Sequence, residues 1–300
     1  MQLKRRMNKH RYYAILCYAT GLSMVVLSGC MQDRPGAPGM NSSAAAVDKN
    51  QPICYWRESL QFPRPVKLHF CRVDLNDPAI EIVAMVSEDP DGSGPAEASL
   101  VSPLQLAKKY NAIAAVNANA FRSLLDADGK RDTEWFEGKP VDIAGLTVMD
   151  GQIRSQNENN RIGCWIGSDR NVHFGDPDDD GTVYQAISDW NSRLIENGVL
   201  VVAEDNLLHP RTLLGIDKSG RWLLLVVADG RQDGYSEGIS LRTGAEIMKN
   251  HNCYNAINLD GGGSSIMLVA PNDNPDLLSI TNRPPGNPRP LPVMLGVRKI

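Results

Sequence analysis

Residues 222–265 read WLLLVVADGRQDGYSEGISLRTGAEIMKNHNCYNAINLDGGGSS, and the order of patterns in this stretch decides the fold class. The unbroken apolar run over 222–228 suits a strand buried on both faces. A polar loop from Asp229 to Gly238 follows, then a segment over 241–251 with helical spacing. Ser240 stands where a cap belongs, and Glu246, Lys249 and Asn250 form a wet face. Residues 254–259 make a second apolar strand that stops at Gly261, Gly262 and Gly263. Strand, helix, strand predicts a parallel pair joined by a right-handed crossover. Asp229 and Asp260 then both follow a strand's C-terminal end, the edge where ligands collect in open α/β sheets. Neighbouring strands about 4.8 Å apart would bring the two carboxylates toward the roughly 5 to 9 Å separations used in glycosidic cleavage.

Three successive glycines are costly for a plain turn, because each loses more backbone entropy on folding than any other residue. They make sense where φ is positive or where a ligand must approach main-chain N–H groups, which can form an anion-binding concavity. Asp260 is the nearest acid, base or nucleophile to that loop. Residues 265–269 read as a strand and lack the Gly-Lys-Ser/Thr entry to a helix, which excludes a P-loop.

Further strands are expected at 66–74, 80–86, 112–116, 143–149, 161–166, 199–202, 213–217 and 291–297, many of them β-branched or alternating. Helices are expected at 103–110 and 184–196 as well as 241–251. The prediction is an α+β fold: a mixed β-sheet core with few helices, including one strand-helix-strand parallel unit in the C-terminal half.

At the N-terminus, Lys4, Arg5, Arg6, Lys9 and Arg11 precede an apolar run over 12–27, the order of an export signal. The run is shorter than the about 20 residues a spanning helix needs, and it ends in Leu27-Ser28-Gly29-Cys30, which resembles a lipoprotein cleavage and lipidation site at Cys30. Residues 1–29 are therefore expected to be a lipoprotein signal peptide, residues 30–50 a flexible tether rich in Gly, Pro, Ala, Ser and Asn, and residues 51–300 one exported domain held to a membrane through the lipid. The net charge of −4 becomes more negative without the signal, and no basic cluster is left to attract nucleic acid. Cys54, Cys71, Cys164 and Cys253 allow two disulfides, with Cys54–Cys71 across a hairpin as the first pairing and buried free thiols as the alternative.

A metal is not expected. The histidines show no zinc spacing. Asp176, Asp178 and Asp180 begin like a calcium loop, but its twelfth position is Ile187 rather than Glu, and the acidic loop of Asp126, Asp128, Asp132 and Glu134 is read in the same way as a solvated turn. There is no Gly-x-Ser-x-Gly elbow for a serine hydrolase.

Several segments together resemble the phosphodiester glycosidase family. They are Ala115-Val116-Asn117-Ala118-Asn119-Ala120-Phe121, Ala144 to Val148 with Asp150-Gly151, His209-Pro210-Arg211-Thr212, Val227 to Arg231, Gly238 to Leu241, Asn258 to Ser265, and Arg289-Pro290 before the last strand. The chain departs from the family at Asn117 to Phe121, where alanines replace a usual Asn-Gly-Gly-x-Phe; this bears on the identity of the sugar. The resemblance implies cleavage between a sugar's anomeric carbon and a phosphodiester with no required cofactor, and together with the export signal it leads to the expectation of a hydrolase acting on envelope or extracellular glycans.

Under that reading Arg211 grips phosphate, since a guanidinium offers paired donors and stays charged, and Arg289 is either a second phosphate contact or a surface residue. Asp260 is the carboxylate nearest the anomeric carbon, with Asp229 as its partner or as an organiser of its loop. Asn117 and Asn258 bond sugar hydroxyls or hold loops, and the N–H groups of Gly261, Gly262 and Gly263 with Ser264 complete the anion site. The competing reading is a non-catalytic glycan-binding lipoprotein of the same fold.

Overall fold

The computed structural model describes residues 51–61, 63–156, 163–175, 177, 182–188 and 192–300. The expected signal, Cys30, the tether, and the turn carrying Asp176, Asp178 and Asp180 lie outside them.

Strand formation follows the apolar runs. Trp222–Ala228 is central in a seven-stranded sheet ordered Ile53–Leu60, Val66–Asp74, Trp222–Ala228, Arg211–Asp217, Cys253–Asn258, Arg193–Glu196, Val199–Leu200. A second, five-stranded sheet is ordered Ser279–Ile280, Met267–Val269, Ala112–Asn117, Val293–Lys299, Ile80–Val86. The inner faces of these sheets share one core, in which Val73, Leu214, Leu225 and Ile257 of the first meet Val83, Ala114, Val116 and Val297 of the second. The outer face of the first sheet is covered by the helix Leu241–Asn250, whose Ala245 and Met248 pack with Phe70, Leu213 and Val226. Gly215 has no side chain to hold this helix off; a Cβ there would lie 2.6 Å from Met248 Cε. Ser240 caps the helix by accepting from Thr243 N at 3.0 Å. Another five-stranded sheet contributes Cys164, Ile166 and Ile187 to the inter-sheet core, and a three-stranded one pairs Phe121–Ser123 with Pro140–Ile143.

Two expectations are corrected. The parallel strand-helix-strand unit does not form: Trp222–Ala228 and Cys253–Asn258 point the same way, but Arg211–Asp217 lies between them and pairs antiparallel with both. The local hairpin explains this. Asp217 accepts from Ser219 N and Trp222 N, which closes a tight turn and zips the 211–217 strand onto Trp222–Ala228 before the helix returns the chain. The segment expected as a helix over 184–196 instead gives strands Val183–Ser188 and Arg193–Glu196, since each has a partner strand waiting, Gly163–Gly167 and Cys253–Asn258, and cross-strand packing outweighs local propensity. The other two helices form, at Pro103–Lys109 and Leu241–Asn250.

The expected Cys54–Cys71 disulfide is also absent, although the hairpin that suggested it is present. Cys54 stands opposite Arg72, and Tyr55 opposite Cys71. Opposed residues share a face and successive ones alternate, so the two thiols point to opposite faces of the pair. None of Cys54, Cys71, Cys164 and Cys253 is in a disulfide and all four are buried, and burial pushes the Cys71, Cys164 and Cys253 thiols up to about 12. Alkylation of the unfolded protein without reductant is therefore expected to label all four in peptide mass spectrometry; a protected pair would contradict this arrangement.

Candidate active site

Cys253–Asn258 in the first sheet leads through Leu259, Asp260 and the three glycines into Met267–Val269 of the second, so the glycine loop is the crossing between the sheets. Each glycine has its own physical reason. A Cβ on Gly261 would meet Pro210 O at 2.9 Å, one on Gly262, where φ is +63°, would meet the Arg231 guanidinium at 3.0 Å, and one on Gly263 would meet Arg289 Nη2 at 2.6 Å. Two of the three thus make room for arginine heads. Their amides form little of an anion nest, because Gly262 N donates to Pro210 O and Gly261 N to Asp260 Oδ1.

The loop walls a cavity of about 420 Å³ lined by Ala120, Phe121, Trp135, Ser192, His209, Pro210, Arg211, Arg231, Asn258, Leu259, Asp260, Gly261, Gly262, Gly263 and Arg289. Asp260 is the single carboxylate among these residues. Its main chain is fixed at both ends, N–H to Ala118 O at 3.0 Å and C=O from Asn117 Nδ2 at 2.6 Å. Burial raises its pKa, against the opposing hydrogen bonds of Ser264 and Gly261 N and the charge of Arg289. The carboxyl is thus held closer to proton exchange than an exposed aspartate.

Around it stand three guanidinium groups whose hydrogen-bond partners among the described residues are neutral, while the charge of Asp205 acts on Arg211 and that of Asp260 on Arg289. Arg211 donates to Ile239 O and Leu207 O at 3.3 and 3.4 Å. Arg289 lies 3.4 Å from Ser264 Oγ and 5.5 Å from the Trp135 ring centroid. Arg231 Nη2 lies 3.3 Å from His209 Nδ1, and because arginine has only donors, that nitrogen must accept, leaving the His209 proton on Nε2. Burial, with Arg211 and Arg231 nearby, lowers the His209 pKa and favours this neutral ring. Trp135 meets Phe121 edge to face, with centroids 5.0 Å apart.

Several residues singled out from sequence lie elsewhere. Asp229 is 1% exposed and does not line the cavity. Its Oδ2 takes His69 Nε2 and Tyr235 OH at 3.2 Å, and its Oδ1 takes Asn282 Nδ2 and Arg283 N at 3.0 Å. Tyr55 OH closes the chain on His69 Nδ1 at 2.9 Å. Asn117 is wholly buried, accepting from Thr212 Oγ1 and Ile266 N at 2.6 and 3.1 Å. Asn258 does face the cavity, with its Nδ2 on Leu259 O and its buried Oδ1 lacking a partner. Ser264 is buried behind Arg289. Among the described residues no group of acidic, His and Cys side chains is placed to hold a metal.

Sequence reasoning missed Arg231, His209 and Trp135 as parts of this cavity. The first two were in view, adjacent to Asp229-Gly230 and to Pro210-Arg211; only the pairing of His209 with Ile239 across the loop brings them to Asp260. Trp135 carried no signal.

Fold and cavity define an α+β protein with a cation-lined cleft around one carboxylate. A family model described as phosphodiester glycosidase matches residues 110–298, and the chain belongs to that family. It is 25% identical over 185 residues to the SPbeta prophage-derived uncharacterized protein YomE of Bacillus subtilis, covering 61% of this chain and 28% of that one. It is 39% identical over 64 residues to N-acetylglucosamine-1-phosphodiester alpha-N-acetylglucosaminidase of Mus musculus, covering 21% of this chain and 12% of the mouse protein. The chain thus spans less than a third of either relative. The catalytic domain of the zebrafish counterpart, solved auto-inhibited by its pro-peptide, superposes with a TM-score of 0.59 at 20% identity, covering 84% of this chain and 85% of that one; this similarity concerns the fold.

The Asp229 cluster predicts a stability effect. Asp229→Ala strands four donors in the interior and is expected to lower unfolding free energy by about 3–5 kcal/mol, read from denaturant melts; a loss below about 1 kcal/mol would contradict the structural placement.

Proposed function

We propose that this protein is an exported, lipid-anchored hydrolase that cleaves the bond between a sugar's anomeric carbon and a phosphodiester. The observation that carries the reading is one carboxylate facing three guanidinium groups that no carboxylate neutralises within ion-pair distance among the described residues. Such a cleft attracts a phosphorylated ligand and leaves Asp260 beside whatever the phosphate carries. The N-terminal charge pattern and Cys30 support export and anchoring; the described residues contain no helix long and apolar enough to cross a membrane.

A two-carboxylate scheme needs a general acid because a sugar alkoxide is a poor leaving group. A phosphate oxygen is a weak base, its second ionisation lying near about 6, and it departs without a proton. One carboxylate is then sufficient. Asp260 either takes a proton from the attacking water or bonds the anomeric carbon itself, and the first-formed anomer, inverted or retained, distinguishes the two. Arg211, Arg231 and Arg289 hold the phosphate, and Asn258 Oδ1 accepts from a sugar hydroxyl. The relatives' N-acetylglucosaminyl phosphodiesters are the first substrates to offer, with envelope or extracellular glycans as the natural class.

Asp260→Asn is expected to leave the melting curve unchanged and to lower kcat by about 100-fold or more; retention of most activity would remove Asp260 from the chemistry. The ionised form is the active one, so kcat/KM rises with pH as Asp260 loses its proton. Because burial raises that pKa, the acid limb has its midpoint above the ordinary value of 3.8. A midpoint at or below 3.8 in a pH profile would contradict the assignment.

A further inference from the structure

The charges in the cavity do not match those of the substrate just proposed. A phosphodiester is a monoanion, whereas the cavity sets Arg211, Arg231 and Arg289 against Asp260 alone. His209 adds no charge while it accepts from Arg231. Among the lining residues two positive charges are therefore in excess, and outside the lining the charge of Asp205 acts on Arg211.

Arg231 is the hub of this excess. Burial lowers the pKa of Arg211 and of Arg289; the charge of Asp205 opposes this at Arg211 and that of Asp260 at Arg289, and the charge of Arg231 reaches both and lowers each by less. The Arg231 head lies against the bare Cα of Gly262, and its backbone is held at φ +58°, a left-handed conformation rare for a long side chain. Gathering three cations around one cavity carboxylate, with Asp205 acting on Arg211 from outside the lining, costs stability unless a ligand of higher charge occupies the site, and backbone strain like that at Arg231 concentrates at functional positions.

Building on the proposed reaction, we infer that the three guanidinium groups form a site for a phosphomonoester dianion, the leaving group, and that Arg231 is a catalytic residue stabilising the charge that appears on the departing oxygen. As the bond between the anomeric carbon and the phosphate oxygen breaks, its electron pair stays on that oxygen, and the diester monoanion becomes a monoester dianion. The oxygen of water bonds to the carbon, and its proton leaves through Asp260 to solvent. The second negative charge thus arises where the excess positive charge already stands, an interaction stronger in the transition state than in the ground state. The same match makes the phosphomonoester product an inhibitor.

Calorimetric titration of the full-length protein with methyl phosphate and with dimethyl phosphate tests this without turnover, at about pH 8, above the monoester's second ionisation. Methyl phosphate is expected to bind at least about tenfold more tightly. Arg231→Gln should reduce that preference to about threefold or less, while Arg231→Lys, which keeps the charge, retains most of it. Arg283→Gln serves as the charge-matched control, since Arg283 stacks on Tyr235 outside the cavity, and it should leave the preference intact. Equal binding of the two anions by the wild type, or equal losses in the Arg231 and Arg283 variants, would overturn the inference. Turnover is read separately. Dianion preference without hydrolysis of any glycosyl phosphodiester would keep this site and remove the hydrolase reading, and hydrolysis without preference would do the reverse.

Discussion

The side chain of Asn117 is the fastening on which the rest depends. It ends the fully buried strand Ala112–Asn117 in one sheet, accepts from Thr212 in the other, accepts from Ile266 N where the chain enters Met267–Val269, and donates to the main chain of Asp260. One amide thereby satisfies three groups on three segments. Buried polar groups of this kind are costly if left unpaired, so the sheets meet in the register that pairs them. The consequence is that Asp260 is placed by its backbone, leaving its carboxylate to face the cavity.

The two aspartates that follow strand ends show how similar sequence contexts acquire different physical roles. Asp229 gathers donors from His69, Tyr235, Asn282 and Arg283 and so ties the first sheet to the loop after Ser279–Ile280. Asp260 receives, among the described residues, its neighbour's amide and Ser264 and shares its cavity with cations. A carboxylate saturated with donors has little capacity left for chemistry. One that is poorly solvated and near cations, with an open side, retains it. The glycines between the sheets make the second situation possible, because side chains there would displace Arg231 and Arg289.

Much of this was legible in the residues. Continuous apolar runs located the core strands, Ser240 marked a helix start, and the glycine triplet marked the loop that walls the candidate cavity. The order of the strands was not legible, because the turn at Asp217 to Trp222 inserts a hairpin partner between two strands that a crossover helix would otherwise make neighbours. For the same reason Asp229 read as a match for Asp260, when a distance across one further strand and the arrival of His69 from Val66–Asp74 separate their functions. Residues 184–196 failed on propensity, since their conformation is set by partner strands distant in sequence. Arg231 and His209 failed because isolated basic residues carry no pattern; their meaning arises from the loop that folds them toward the glycines.

The central claim is that the bond broken is the one between carbon and oxygen at the sugar, with the phosphate leaving intact. Hydrolysis of a glycosyl methyl phosphate in water enriched in heavy oxygen reads this directly by mass spectrometry of the released methyl phosphate. The account predicts methyl phosphate of natural isotopic mass, with the heavy atom on the sugar. Heavy oxygen in the phosphate would mean attack at phosphorus and would contradict the account.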